Sequence, residues 1–480
     1  MSAGRFARRG MIMAAFGVAA SLLCAPAIAR KKQAELPPAT AGLIDNVNGI
    51  AVGADGRLVH FTGLLIGRDG RIEARLARAD KRPERLVWRL DAGGKTLIPS
   101  FVDGHARVID TGIRLMTLDL SETRSLMQAQ AKIAAYAQAN PGRKWILGSG
   151  WDMARWGAAS GPTAAQLDAA VPDIPVWLTS DDGRLGWANS AALRLAGMKI
   201  SEALSGAGKR QMERIVPAPA PKDRDIALDK AQRFYIERGI SSVADMGTSL
   251  LDWQAYRRAG DRGALRVRII GYADGIDDMI TIAGSAPSPW LYEDRLRLVG
   301  VHLPVEAAAD VTRLNNQASR AAMDGFQLAL TPESEAAVQK AAEVIGEMTG
   351  SYTGDRRWRT EPVTTPFPSF GRLAQFAARE GAIDKALAEM TSRPAHAAFA
   401  ETRIGALEPG QHADFLLIDR NIAAIAPPDI AQTRILEHWI DGKRVWAQGE
   451  SGGEDRVISK QVGSPAGSEI TENKHTSAAR

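Results

Sequence analysis

The feature that most constrains this chain's fold is an alternation running from residue 99 to residue 402. Short apolar runs and amphipathic runs follow one another there. "KWILGSG" (144–150), "IPVWLTS" (174–180), "ISSVADMG" (240–247), "VRIIGYA" (267–273), "RLVGVHL" (297–303) and "FQLAL" (326–330) read as strands. Residues 123–140, 163–171, 190–197, 229–239, 314–325 and 334–348 read as helices, several opened by Ser or Thr and one stopped by Gly197. Strands that are apolar on both faces and separated by helices imply parallel pairing through crossovers. This length of repeating strand and helix predicts a (β/α)8 barrel of the TIM type. A doubly wound sheet is the alternative, but no Gly-rich dinucleotide loop is present. "GGKT" at 93–96 only resembles a phosphate loop, because Arg89 stands where its first glycine belongs. No G-x-S-x-G elbow and no H-E-x-x-H pair occurs.

The segments flanking this middle have a different texture. Residues 42–98 are short strands and Gly turns, with a hairpin signal at Arg68-Asp69-Gly70-Arg71. The same texture returns at 403–448, with a second hairpin around Asp441-Gly442. Two distant β-rich segments around one long α/β middle predict a composite β-domain built from both chain ends. From Glu450 onward the chain is polar and aperiodic, so 449–480 reads as a disordered tail.

Residues 1–29 read as a signal peptide. Arg5, Arg8 and Arg9 precede an apolar run, and Ala27-Ile28-Ala29 makes an A-x-A cleavage site. The run from Met11 to Ala25 is short for a membrane span, and the mature chain holds no other candidate span. Residues 30–41 form a charged lead-in. The expectation is an exported protein, periplasmic or secreted. Removing the three arginines of the signal takes the formal net charge from +5 to about +2. That balance argues against a nucleic-acid face. The only cysteine, Cys24, leaves with the signal, so disulfides and thiolate chemistry are excluded from the mature chain.

One histidine, His105, ends the apolar strand in "LIPSFVDGHARV" (97–108). That stretch resembles the first barrel strand of the amidohydrolase superfamily. "WILGSGWD" (145–152), "PTAAQLDAAVPDIPVWLTSDDGRLGWANSAALRLAG" (162–197), "RGISSVADMG" (238–247) and "IGALEPGQHADFLLID" (404–419) are similar to its amidohydrolase family 3 branch. The resemblance covers most of residues 42–448. It implies a metal-dependent hydrolase of carbon–nitrogen bonds, with a distorted barrel and a small β-sandwich from both chain ends. It also implies a divalent ion held by imidazoles and carboxylates at the C-terminal ends of barrel strands.

Position by position, the implied metal site is depleted. His105 keeps the first imidazole of the strand's His-x-His, but Arg107 replaces the second. The histidine of "DGHAGWANS" falls on Arg184, and the family's strand lysine falls on His302. The histidine of "HAIGD" falls on Thr331, and a late aspartate aligns near Arg357. Arginine carries no free lone pair and stays positive, so it cannot ligate a cation. The expectation is a degenerate site with no zinc or other divalent metal unless the remnant at His105 survives. Between Leu330 and Glu361 the chain is also too short for the family's further strands, so the barrel is expected to have fewer than eight complete units.

The remaining candidates keep two readings each. His105 and His302, helped by Glu306 or Glu361, are either a metal remnant or satisfied polar residues. Asp182 beside Asp181 is either a catalytic carboxylate or part of a turn before Gly183. Asp245 ends a strand, where it is expected at the barrel mouth as an acid or base. Trp151, Trp156, Trp177 and Trp187 either line a ligand cleft or pack a core. His105, Arg107, Arg184, Trp187 and His302 are the expected lining of a small-molecule pocket. Three functions follow: a pseudoenzyme that binds a ligand in the old cleft, a C–N hydrolase with an altered or metal-free site, or an interaction scaffold.

Overall fold

The computed structural model describes residues 41–158, 160–199, 202–362 and 367–450. The signal segment, nearly all of the lead-in and tail, and His475 lie outside the described residues. In chain order the first strands are β1 (Ala41–Val52), β2 (Leu58–Gly67), β3 (Ile72–Leu76), β4 (Trp88–Asp91) and β5 (Thr96–Pro99). Then come β6 (Phe101–Ala106), β7 (Leu118–Asp119), β8 (Ile146–Trp151), β9 (Val176–Ser180) and β10 (Gly186–Ala188). The sheet-forming middle continues with β11 (Ile240–Thr248), β12 (Arg268–Asp274), β13 (Leu296–Val305), β14 (Gln327–Pro332) and β15 (Arg359–Thr360). The chain closes with β16 (Phe415–Ile418), β17 (Ile435–Ile440) and β18 (Lys443–Ala447).

Strands from both chain ends share one eight-stranded sheet in the order β18-β17-β16-β5-β1-β2-β3, with β4 paired to β1. β5 is the seam, antiparallel to β16 and parallel to β1. β1 takes β4 along Gly42–Asp45 and β5 at Asn48–Gly49, so the sheet divides along its length. That division lets the sheet wrap its own apolar core, where Ile44, Phe61, Leu64, Leu97, Phe415 and Trp439 meet.

The middle of the chain forms a parallel six-stranded sheet of TIM-barrel type, in the order β15-β14-β13-β12-β11-β6. Alternation assigns its faces. Ile269 and Ala273 of β12 pack against the surrounding helices. Ile270 and Tyr272 of the same strand face the opposite way, into the curl of the sheet. Six strands cannot enclose a barrel core alone, and the C-terminal part of the α/β region fills the space. After the helix Ser392–Ala397, Ala398, Ala400 and Ile404 pack with Ala395 against Val102, Met246, Ile270 and Val299.

Between β6 and β11 the chain makes a separate four-stranded sheet, β10-β9-β8-β7. It has its own core of Ile133, Ile146, Trp151, Leu167 and Trp187. Among the described residues no helix is long and apolar enough to cross a membrane.

The N-terminal ends of the parallel strands meet the composite sheet through buried charges. Arg268, fully buried at the start of β12, reaches Asp414 at 3.2 Å and also pairs with Asp441. Arg295 pairs with Asp441 from the start of β13. His412 stands between Asp441, 2.6 Å from Nδ1, and Asp294, 3.1 Å from Nε2. Asp294 also takes Arg71 at 2.5 Å and Arg403. Burial pushes Asp441 up, but His412, Arg268 and Arg295 outweigh it and hold the carboxyl far below the usual range.

Candidate functional site

The parallel strands all end at one mouth, where a barrel of this kind carries its chemistry. β6 and β15 are opposite edges of the six-stranded sheet. Yet His105 Nδ1, on β6, lies 3.2 Å from Oε2 of Glu361, the residue after β15. The sheet therefore curls until its two edges touch through side chains. A bulge aims His105 there. Asp103 and Ala106 are three residues apart but pair with Val243 and Asp245, which are two apart. The extra residue in β6 breaks the alternation and turns His105.

Glu361 is held from two sides. Its Oε1 accepts from Arg359 Nε, and its Oε2 faces His105. Burial raises the Glu361 pKa, but the His105 hydrogen bond and the Arg359 charge bring it below the ordinary value. Arg359 Nη1 also donates to the Tyr272 hydroxyl at 3.2 Å and to the Ala397 carbonyl at 3.3 Å. Its guanidinium stands 5.0 Å from the Tyr272 ring centre. Gln327 continues the network, accepting from Tyr272 and donating to the carbonyls of Ala397 at 2.8 Å and Arg357 at 2.6 Å.

His302 faces the same interior from β13. Its Nε2 is 2.8 Å from Thr331 Oγ1 on β14, and its Nδ1 is buried without a partner. Burial lowers its pKa to about 3, with Arg107 and His105 adding to the effect, so the imidazole is neutral. Arg107 is half exposed and 3.7 Å from Asp110. Its guanidinium lies over Gly247, where a Cβ would come within 3.1 Å of Nη1.

His105, Arg107 and His302 thus share the mouth. Asp245, Asp182, Arg184 and Trp187 do not join them. Asp245 faces the helices rather than the mouth, because its neighbours Ala244 and Met246 take the inward positions. It accepts from Val108 N at 2.8 Å, Thr248 Oγ1 at 2.7 Å and Tyr256 OH at 2.8 Å. Burial raises its pKa to about 6 despite those donors. Asp182 closes a turn, accepting from Ser180 Oγ at 2.6 Å and from Arg184 N at 3.1 Å. Arg184 is exposed, 3.9 Å from Asp182. Trp187 is fully buried in the inserted sheet, donating to the Thr163 carbonyl at 2.8 Å and packed edge-on to Trp151 and Trp156. Glu306 pairs with Arg210 at 3.3 Å. The residues that sequence reading missed are Arg359, Tyr272 and Gln327. The signal for Arg359 was faint: two residues of strand inside "RRWRTE".

A model of the amidohydrolase family matches residues 90–361 and 364–446. The chain belongs to the amidohydrolase family. The Arabidopsis thaliana protein LONG AFTER FAR-RED 3 is 27% identical over 42% of this chain and 40% of its own length. The N-substituted formamide deformylase of Arthrobacter pascens is 25% identical over 37% of each. The chain thus spans about two fifths of the length of these curated relatives. A solved metal-dependent hydrolase from Pyrococcus horikoshii OT3 shares the fold with a TM-score of 0.62. It is 16% identical and covers 81% of this chain and 99% of that one.

Amidohydrolase chemistry through a divalent ion requires several convergent ligands. The residues of this mouth do not fit that requirement. Among the described residues, no three His, Cys, Asp or Glu side chains lie close enough to hold a metal ion. His105 is engaged by Glu361, His302 by Thr331, and Glu361 by Arg359.

Proposed function

We propose that this chain is an exported amidohydrolase-family pseudoenzyme. It binds a small molecule at the barrel mouth and does not carry out metal-dependent C–N hydrolysis. One observation carries the reading: the carboxylate at the mouth, Glu361, is tied on one oxygen to His105 and on the other to Arg359. A cation introduced there meets an occupied carboxylate and a fixed positive charge. The N-terminal segment with its A-x-A site supports the export reading.

A second reading has its own observation. His105 is paired with Glu361 as a catalytic base is paired with the residue that orients it, and no described residue bonds its Nε2. In that reading His105 takes a proton from water attacking an amide carbonyl and returns it to the leaving amine. The test is a hydrolysis screen of N-substituted formamides, simple amides and carbamates, each with EDTA and with added zinc. The same compounds are scored by thermal shift. Binding without turnover in either condition is expected. Turnover in EDTA that disappears in His105→Ala would establish the second reading. Zinc-dependent turnover would overturn both.

A further inference from the structure

We infer that Arg359 is the built-in cation of the mouth, supplying to Glu361 the counter-charge that a bound divalent ion supplies to a carboxylate ligand, and through Glu361 holding His105 in place. The inference rests on the metal-free reading above and adds the residue that makes it workable.

Glu361 retains only 11% of its side-chain exposure and Arg359 only 20%. A carboxylate that deep needs a counter-charge and filled hydrogen-bond positions, or it takes up a proton. Arg359 supplies the charge through Nε, and His105 fills the other oxygen. Placement matters as much as charge. β15 and β12 are separated in the sheet by β14 and β13. Arg359 nevertheless reaches Tyr272 on β12 and the carbonyl of Ala397 on the interior helix. One planar fork therefore ties together an edge strand, a central strand and the helix filling the curl. It also fixes the carboxylate that holds the other edge strand through His105. A metal ion acts in this way, as a positive centre with several fixed contacts. A lysine would offer the charge without the fork.

The test is a double-mutant cycle on the full chain, using Arg359→Met, Glu361→Gln and the pair, read by thermal unfolding. Arg359→Met keeps an unbranched, mainly apolar stem and removes the guanidinium with its charge. It is expected to lower Tm by about 5 °C or more, because Glu361 is left buried without its cation. Adding Glu361→Gln is expected to recover at least half of that loss. If Arg359→Met does not fold, recovery of folded protein in the double variant carries the same meaning. A further readout separates charge from packing. In Arg359→Ala, tens of millimolar guanidinium chloride should raise Tm where equal sodium chloride does not. An Arg359→Met protein as stable as the parent, or losses that simply add, would overturn the role of Arg359 alone. A parent Tm raised by zinc and lowered by EDTA would instead overturn the metal-free reading, and this inference with it.

Discussion

The two ends of the parallel sheet hold arginines against carboxylates beside a histidine, but to different effect. At the N-terminal ends, Arg71, Arg268, Arg295 and Arg403 meet Asp294, Asp414 and Asp441 around His412. At the C-terminal mouth the corresponding set is Arg359, Glu361 and His105. The base network joins the sheet to strands from both ends of the chain, so it fixes how distant segments come together. The mouth network joins two edges of one sheet. In an amidohydrolase the mouth is where the fold spends its charges on a metal. Here, as at the base, described charges answer each other: Glu361 is paired with both Arg359 and His105.

The largest expected effect lies at the base. Asp441→Asn removes the charge facing the fully buried Arg268 and should cost about 3–5 kcal/mol in urea unfolding. A loss below 1 kcal/mol would show that the base is no more demanding than a surface. Next comes the interior filling. Ile404→Ala opens a cavity among Val102, Met246 and Ile270, with a loss of about 2–4 kcal/mol by the same measurement. A neutral result would mean that the curl is not held open by this segment.

The pH dependence sharpens the comparison further. His302 and His438 are buried and neutral, with pKa values lowered to about 3 and about 4. Their contribution is present above the unfolded value and is lost as pH falls below it. Asp103 and Asp245 are raised to about 6, so their contribution is present below the unfolded value and is lost as pH rises through 6. Between pH 6 and 5 the two pairs oppose each other, and stability should be nearly flat. Asp245→Asn removes one compensating proton, so its stability should fall by about 1 kcal/mol per unit as pH drops across that range. Equal slopes in parent and variant would refute the pairing. Below about pH 4 the sign is common to the lowered carboxylates Asp294, Glu361 and Asp441, and acid should destabilise both ends. The smallest effect is expected in the inserted sheet. Arg184→Ala should change stability by less than about 0.5 kcal/mol, because its partner Asp182 is exposed as well.

The strands of the middle were legible because parallel strands are apolar on both faces, and such runs stand out in "VRIIGYA" or "FQLAL". The same property hid which face each residue takes. Ala244, Asp245 and Met246 give no alternation to read, and Asp245 went to the helices instead of the mouth. A bulge leaves no mark in composition, so nothing in "VDGHA" announced that His105 would turn toward Glu361. β15 is two residues long and charged, which places it below any periodicity signal. Trp187 was assigned to a pocket through the resemblance, whereas the insertion carrying it has a core of its own. That Arg107 cannot ligate a cation, by contrast, was readable from chemistry alone, since a guanidinium has no lone pair to offer.

The most direct measurement is metal content. Residues 30–480 would be incubated with zinc or manganese, dialysed and analysed by mass spectrometry beside a His105→Ala control. The account predicts well below one metal per chain in both samples. Near-stoichiometric metal in the parent, lost in the control, would contradict it and return this mouth to the metal-dependent hydrolases.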